Sequence, residues 1–182
     1  MPRFALSVSF ILAFAAASSA QTQIGAYYSA LSLEYPDQTR HGVGGFLVYS
    51  PRDWVGVDLT TSLFPSDSEG DTAWQLFAGP RAGRSFGRVG IFGRLRAGFV
   101  RFSERFFAPE TACVAVFPTP EVCLAESLNF ALDYGATVEV LPSSRTVLRF
   151  DIGDAMTRYR RGDDSSSWKH GLQFVAGAGW SF

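Results

Sequence analysis

Lysine is almost missing from this chain: Lys169 is the only one in 182 residues. With 16 basic against 17 acidic side chains there is no positive excess, so a nucleic-acid partner has no electrostatic basis. Histidine is limited to His41 and His170, and neither has an evident Ser or Asp partner at a motif spacing, which argues against a hydrolytic histidine. The two cysteines, Cys113 and Cys123, stand at C-x9-C with no histidine nearby. That spacing does not suit a zinc or redox centre. Beyond the first residues there is no segment of helical period and no apolar run of the roughly 20 residues that a membrane helix needs. The glycine motifs Gly42-x-Gly44-Gly45 and Gly177-x-Gly179 lie in strand patterns without a following helix, so they do not suit a phosphate cradle. No catalytic, cofactor-binding or metal-ligating set emerges, and none is expected.

The amino terminus reads as an export signal. Arg3 precedes an apolar run from Phe4 to Ala17, and Ser18-Ser19-Ala20 supplies the small residues of a cleavage site. Residues 1–20 are therefore expected to be removed, leaving 21–182 as one domain with a net charge of about −2. In an exported chain Cys113 and Cys123 are most simply one disulfide, because the compartment is oxidising.

What the mature chain has in abundance is alternation. At the carboxy terminus Leu172, Phe174, Ala176, Ala178, Trp180 and Phe182 take every second place, with small or polar residues between them. Period-2 patterning describes a strand with one apolar and one wet face. About eight such segments are expected: Gln23 to Glu34, His41 to Ser50, Trp54 to Phe64, Thr72 to Ser85, Val89 to Ser103, Leu124 to Leu141, Arg145 to Tyr159, and Lys169 to Phe182. Pro51-Arg52-Asp53, Phe86-Gly87-Arg88 and Pro142-Ser143-Ser144 read as tight turns. They alternate with longer polar links, Tyr35 to Arg40, Pro65 to Asp71, Glu104 to Cys123 and Arg160 to Trp168. This rhythm predicts an all-β, eight-stranded antiparallel up-and-down transmembrane barrel, with both termini periplasmic and the longer loops outside.

Charge chooses which face meets lipid. In the third, fifth and sixth segments the apolar residues share one face, for example Val55, Val57, Leu59 and Leu63, and the polar ones share the other. Asp58, Arg81, Arg94, Arg96, Asp133, Glu139, Arg149 and Asp151 are all predicted to point inward as a salt-bridged plug. An arginine at mid-depth on the lipid side would cost ~2 to 4 kcal/mol. A soluble, lipocalin-like barrel would invert the faces. The first two segments carry apolar residues on both faces and remain open. Pro80, inside the fourth segment, predicts a bulge. A second bulge near Gly153 would turn Asp154 and Arg158 inward and Ala155, Thr157 and Tyr159 outward; without it both charges must lie near the outer headgroups. Arg161-Gly162-Asp163 reads as a polar loop turn.

The signal peptide, the eight alternating segments, the short-turn and long-loop rhythm and the ending Gly177-Ala178-Gly179-Trp180-Ser181-Phe182 resemble the small bacterial outer-membrane barrels grouped with OmpX and the membrane domain of OmpA. So do Gly90-Ile91-Phe92-Gly93-Arg94-Leu95-Arg96-Ala97-Gly98-Phe99 and Val147-Leu148-Arg149-Phe150-Asp151-Ile152-Gly153-Asp154. The resemblance implies a Gram-negative outer membrane, with its lipid and lipopolysaccharide as surroundings. It also implies recognition of Trp180 and Phe182 by the barrel assembly machinery. Nothing follows Phe182, so a barrel without the peptidoglycan-binding domain is expected. Fold does not set activity in this group. The leading expectation is a non-enzymatic barrel with an envelope-structural or surface-interaction role. A lipid-modifying deacylase or acyltransferase is the rival, although Ser103, Ser127 and His170 do not assemble into a catalytic set by spacing. A narrow pore is the third reading, and the extracellular partner is open.

Overall fold

The computed structural model describes residues 20–33, 38–65, 72–103, 113–114, 122–123, 127–160 and 166–182. The expected signal peptide and the Arg161-Gly162-Asp163 turn lie outside them, as does most of each longer link. Among these residues eleven strands are formed: β1 (Gln21–Leu33), β2 (Gln38–Arg52), β3 (Val55–Phe64), β4 (Ala73–Phe86), β5 (Val89–Phe102), β6 (Cys113–Val114), β7 (Val122–Cys123), β8 (Ser127–Val140), β9 (Thr146–Arg160), β10 (Ser166–Lys169) and β11 (Gly171–Ser181). Eight of them close a barrel. Antiparallel ladders run β1–β2–β3–β4–β5–β8–β9–β11, and β11 pairs back with β1 from Gln23↔Ser181 to Leu33↔Gly171. β10 prolongs the last wall against β9, with a break at His170. Closure removes the sheet edge that an open eight-stranded sheet would leave unpaired.

The short connections follow turn chemistry. Gly87 takes a φ of 63°, the left-handed geometry that glycine adopts without steric cost. Ser143 Oγ accepts from the backbone N–H of Thr146 at 3.1 Å, tying the β8–β9 turn. The first turn departs from expectation. β2 continues through Pro51 and Arg52, and the chain reverses at Asp53 and Trp54. The register between β2 and β3 shifts between Tyr49 and Arg52, so the irregularity falls on Ser50 and Pro51.

The bulge expected at Pro80 is absent, and of the two alternatives open at Gly153 the unbulged one holds. Pro80 stays opposite Val57 in the β3 ladder, and β4 keeps the same register against β5 on either side of it, from Ala78↔Ala97 to Arg81↔Arg94. Its side chain faces outward, and the local gap at Gly79 and Pro80 absorbs the missing N–H without a slip of face. β9 likewise runs without a shift past Gly153 against both β8 and β11. Ala155 and Thr157 therefore point inward and are buried, while Asp154 and Arg158 stay on the outer wall. Asp154 tolerates that wall because it is fully engaged there, accepting from Tyr134 Oη at 2.9 Å, His170 Nδ1 at 2.6 Å and the Gly171 N–H at 3.1 Å.

The facing of the first two strands is settled. Gln23, Tyr27, Ser29 and Leu31 of β1 and Phe46, Val48 and Ser50 of β2 point inward; Ile24, Tyr28, Val43 and Leu47 point outward. The outer wall is apolar throughout its middle, as with Val57, Leu59, Leu63, Leu95, Phe150, Ile152 and Phe174. Aromatics gather at both ends. Trp54, Phe86, Trp180 and Phe182 are exposed at the end that carries the termini, and Phe99, Phe130 and Trp168 form an edge-on chain at the other. At the termini end the seam is pinned by Phe182 N–H donating to Thr22 O at 2.9 Å.

Candidate functional site

Among the described residues, chemically active side chains inside the barrel concentrate in the charged lumen. Inward alternation on β3, β4, β5, β8 and β9 delivers Asp58, Arg81, Arg94, Arg96, Asp133, Glu139, Arg149 and Asp151 to one interior, each between 0 and 5% exposed. Six of them form a closed ring of alternating sign. Arg94 meets Asp133 (3.4 Å), Asp133 meets Arg96, Arg96 meets Asp58 (3.5 Å), Asp58 meets Arg149 (2.5 Å), Arg149 meets Asp151 (3.0 Å), and Asp151 returns to Arg94 (3.6 Å). Arg81 and Glu139 make a separate bidentate pair, with Nη2–Oε2 at 3.0 Å and Gln23 Nε2 donating to the same oxygen at 3.3 Å.

Arginine is suited to this interior because its planar fork binds carboxylates at two points and stacks on rings. Arg149 uses every nitrogen, donating from Nε to Asp151 and from Nη1 and Nη2 to Asp58. The guanidinium carbon of Arg149 lies 4.9 Å from the Phe46 ring centroid, and that of Arg81 lies 3.9 Å from Phe92. Arg94 adds a bond to Ala136 O at 2.8 Å. Glycine makes the room. A Cβ at Gly44 would stand 2.5 Å from the Tyr27 ring, and one at Gly153 would stand 2.7 Å from Arg94 Nη2.

Apolar side chains complete the filling. Leu31, Phe64, Phe77, Val100, Phe102 and Ala155 cluster across the long-loop end of the lumen, and Tyr27, Phe46, Val48, Val147 and Val175 pack beside the charges. An eight-stranded barrel is just wide enough to be occupied in this way.

The remaining predicted positions are elsewhere. Trp180 and Phe182 face outward at the termini end. Cys113 and Cys123 are direct partners in the β6–β7 ladder, the placement that a cross-strand bridge needs; their side chains lie outside the described residues. Sequence reasoning missed the polar group on the outer wall: Tyr134, Asp154 and His170 on one side, and His41 on the other, whose Nδ1 meets Tyr28 Oη and whose ring stacks on Tyr28 with centroids 5.8 Å apart. Asp154 on β9 and His170 at the break between β10 and β11 are 16 residues apart. Only the register of that hairpin could have revealed them. Among the described residues no group of three or more potential metal ligands occurs.

The fold is that of the small outer-membrane barrels. Neisserial surface protein A is similar over 91% of this chain and 98% of its own, at 13% identity and a TM-score of 0.55. Outer membrane protein H (OprH) from P. aeruginosa matches over 89% and 99%, at 14% identity and a TM-score of 0.53. A major outer membrane protein from Thermus thermophilus matches over 90% and 100%, at 11% identity and a TM-score of 0.51. No protein-family model and no curated protein matches the chain.

Proposed function

We propose that this chain is an integral outer-membrane barrel of a Gram-negative envelope, exported by a cleaved signal peptide, non-enzymatic and non-conducting. Its role is envelope-structural or surface-interacting, carried by its outer wall and loops. Lipid and lipopolysaccharide are its surroundings, and the barrel assembly machinery is its partner during insertion. The observation that carries this reading is the filled lumen: a closed ring of ion pairs beneath an apolar cluster leaves the interior occupied by side chains. An ion entering would have to displace paired charges and then cross apolar surface.

A second reading, a lipid-modifying enzyme, draws on the Asp154–His170 pair on the outer wall. Ser103 does not complete it, since that hydroxyl accepts from Thr72 N–H at 2.9 Å beside β4 and β5. Conductance in proteoliposomes and the mass of lipid A on overexpression test these readings together. A closed membrane and unchanged lipid A are expected; discrete channel openings would establish a pore, and a mass shift an enzyme.

A further inference from the structure

The two ends of the barrel differ in charge. At the end that carries the termini Arg52, Arg84, Arg88 and Arg145 are exposed, and among the described residues the acidic side chain exposed beside them is Asp53. No carboxylate of the described residues forms an ion pair with any of the four. The carboxy-terminal group of Phe182 lies on the seam, where it accepts from Thr22 N–H at 3.4 Å. By sequence the four longer links at the other end hold more acid than base.

These arginines stand on a fixed rim. The β2–β3, β4–β5 and β8–β9 turns are neighbours around it, and each is tied to the next wall: Trp54 O accepts from Gly83 N–H, Arg88 O from Leu141 N–H and Arg145 O from Ser181 N–H, each at 2.8 Å. Their depth is marked by aromatics. Trp54, Phe86, Trp180 and Phe182 are exposed at the same end, and the guanidinium carbon of Arg84 lies 5.8 Å from the Phe86 ring centroid. Exposed aromatic girdles collect where hydrocarbon gives way to headgroups. Short turns hold the guanidinium groups within that layer, so the partner within their reach is a headgroup. Their planar forks engage phosphate oxygens at two points, and a surface excess of positive charge favours a lipid with net negative charge over a zwitterionic one.

We propose that this rim is a binding surface for anionic phospholipid in the leaflet at the turn end, the phosphodiester groups being held by Arg52, Arg84, Arg88 and Arg145. The inference rests on the reading of the chain as a membrane-spanning barrel with its short turns periplasmic, but not on its being non-enzymatic or closed.

The test uses the full mature chain in phosphatidylcholine nanodiscs containing a trace of phosphatidylglycerol with a photoreactive group on its headgroup, and in parallel phosphatidylcholine carrying the same group. Crosslinked peptides are mapped by mass spectrometry, which separates the two ends of the barrel. Phosphatidylglycerol should label the three turns about ten-fold more than phosphatidylcholine, the measure of ~1.4 kcal/mol. Replacing Arg52, Arg84, Arg88 and Arg145 together with Gln should bring that labelling down to the phosphatidylcholine level. If the quadruple variant loses heat-modifiable migration, Arg84→Gln with Arg88→Gln takes its place and should lower the labelling of the β4–β5 turn. Arg158→Gln, at the other end, should leave turn labelling unchanged. Equal labelling by the two lipids, or a preference that survives the loss of the arginines, would overturn the site; cosedimentation with isolated peptidoglycan that needs the same arginines would then assign the rim to the wall polymer. Absence of turn labelling by either lipid would overturn the membrane-spanning reading itself, and the site with it.

Discussion

Arg149 reaches straight across the lumen to Asp58, four strands away around the barrel and 91 residues away in the chain, with Nη2 and Oδ2 2.5 Å apart and neither side chain exposed. The other two nitrogen positions of the fork are also occupied, by Asp151 and the second Asp58 oxygen. This pair therefore braces opposite walls.

Breaking it should cost the most of any lumen substitution. Arg149→Met leaves Asp58 and Asp151 without their shared cation, a penalty of about 3 to 5 kcal/mol for a dry interior. Arg94→Met should cost less, because Arg94 Nε and Nη2 make no hydrogen bond and its ion pairs span 3.4 and 3.6 Å. Urea midpoints of the two variants in detergent give the order; equal midpoints would refute the ranking.

Packing around the ring predicts a second asymmetry. At Gly153 an added Cβ would stand 2.7 Å from Arg94 Nη2 and 2.7 Å from Tyr134 O, whereas at outward-facing Gly93 the nearest atom is 3.8 Å away. Gly153→Ala should destabilise by about 1 to 3 kcal/mol through overpacking. Gly93→Ala should leave the midpoint within experimental scatter, and a matching loss there would show that the lumen is not the cause.

The β6–β7 register predicts that Cys113 and Cys123 are bridged. Replacing both with Ser should raise protease sensitivity between residues 104 and 126 while leaving heat-modifiable migration intact, since the ladder is separate from the barrel sheet. The bridge is worth roughly 2 to 3 kcal/mol to the loop in the chain-entropy model. Two free thiols in protein isolated without reductant would disprove it.

Phe182 closes the seam through its backbone and exposes its ring at the termini end. Phe182→Asp keeps the backbone bonds but removes an apolar girdle residue. Reduced insertion into outer membranes is expected, measured as the heat-modifiable fraction; wild-type levels would show that the terminal aromatic is dispensable.

The strands that could be oriented from sequence were those in which charge marks a face. On β5, Arg94 and Arg96 alternate with Leu95 and Ala97, and the inward face follows from the cost of arginine in lipid. β1 and β2 offered no such marker, because Tyr27 and Phe46 inside resemble Tyr28 and Leu47 outside in chemistry. What selects the inner aromatics is the glycine beneath each: Gly44 for Tyr27, and Gly25 and Gly179 for Phe46. That complementarity lies across strands and leaves no periodic trace along any one of them. Between the two alternatives at Gly153 the sequence could not choose, for a related reason. The partners that let Asp154 stay outside, Tyr134, His170 and Gly171, come from other segments of the chain. The eight lumen charges could be listed from alternation, but their closed circuit depends on which walls face each other.

The circuit also divides the chain unevenly. Among the described residues that are buried, β1 to β5 supply Arg81, Arg94 and Arg96 against Asp58, and β8 to β11 supply Asp133, Glu139 and Asp151 against Arg149. Each half-barrel is thus a polyelectrolyte of opposite sign, and neutrality exists only when the halves meet. An incomplete sheet ending at β5 would hold surplus positive charge in a surface destined for the interior, which keeps that surface hydrated and resists premature collapse. Arrival of the second half supplies the counter-charges and drives out the water in the same event, so closure and desolvation are one step.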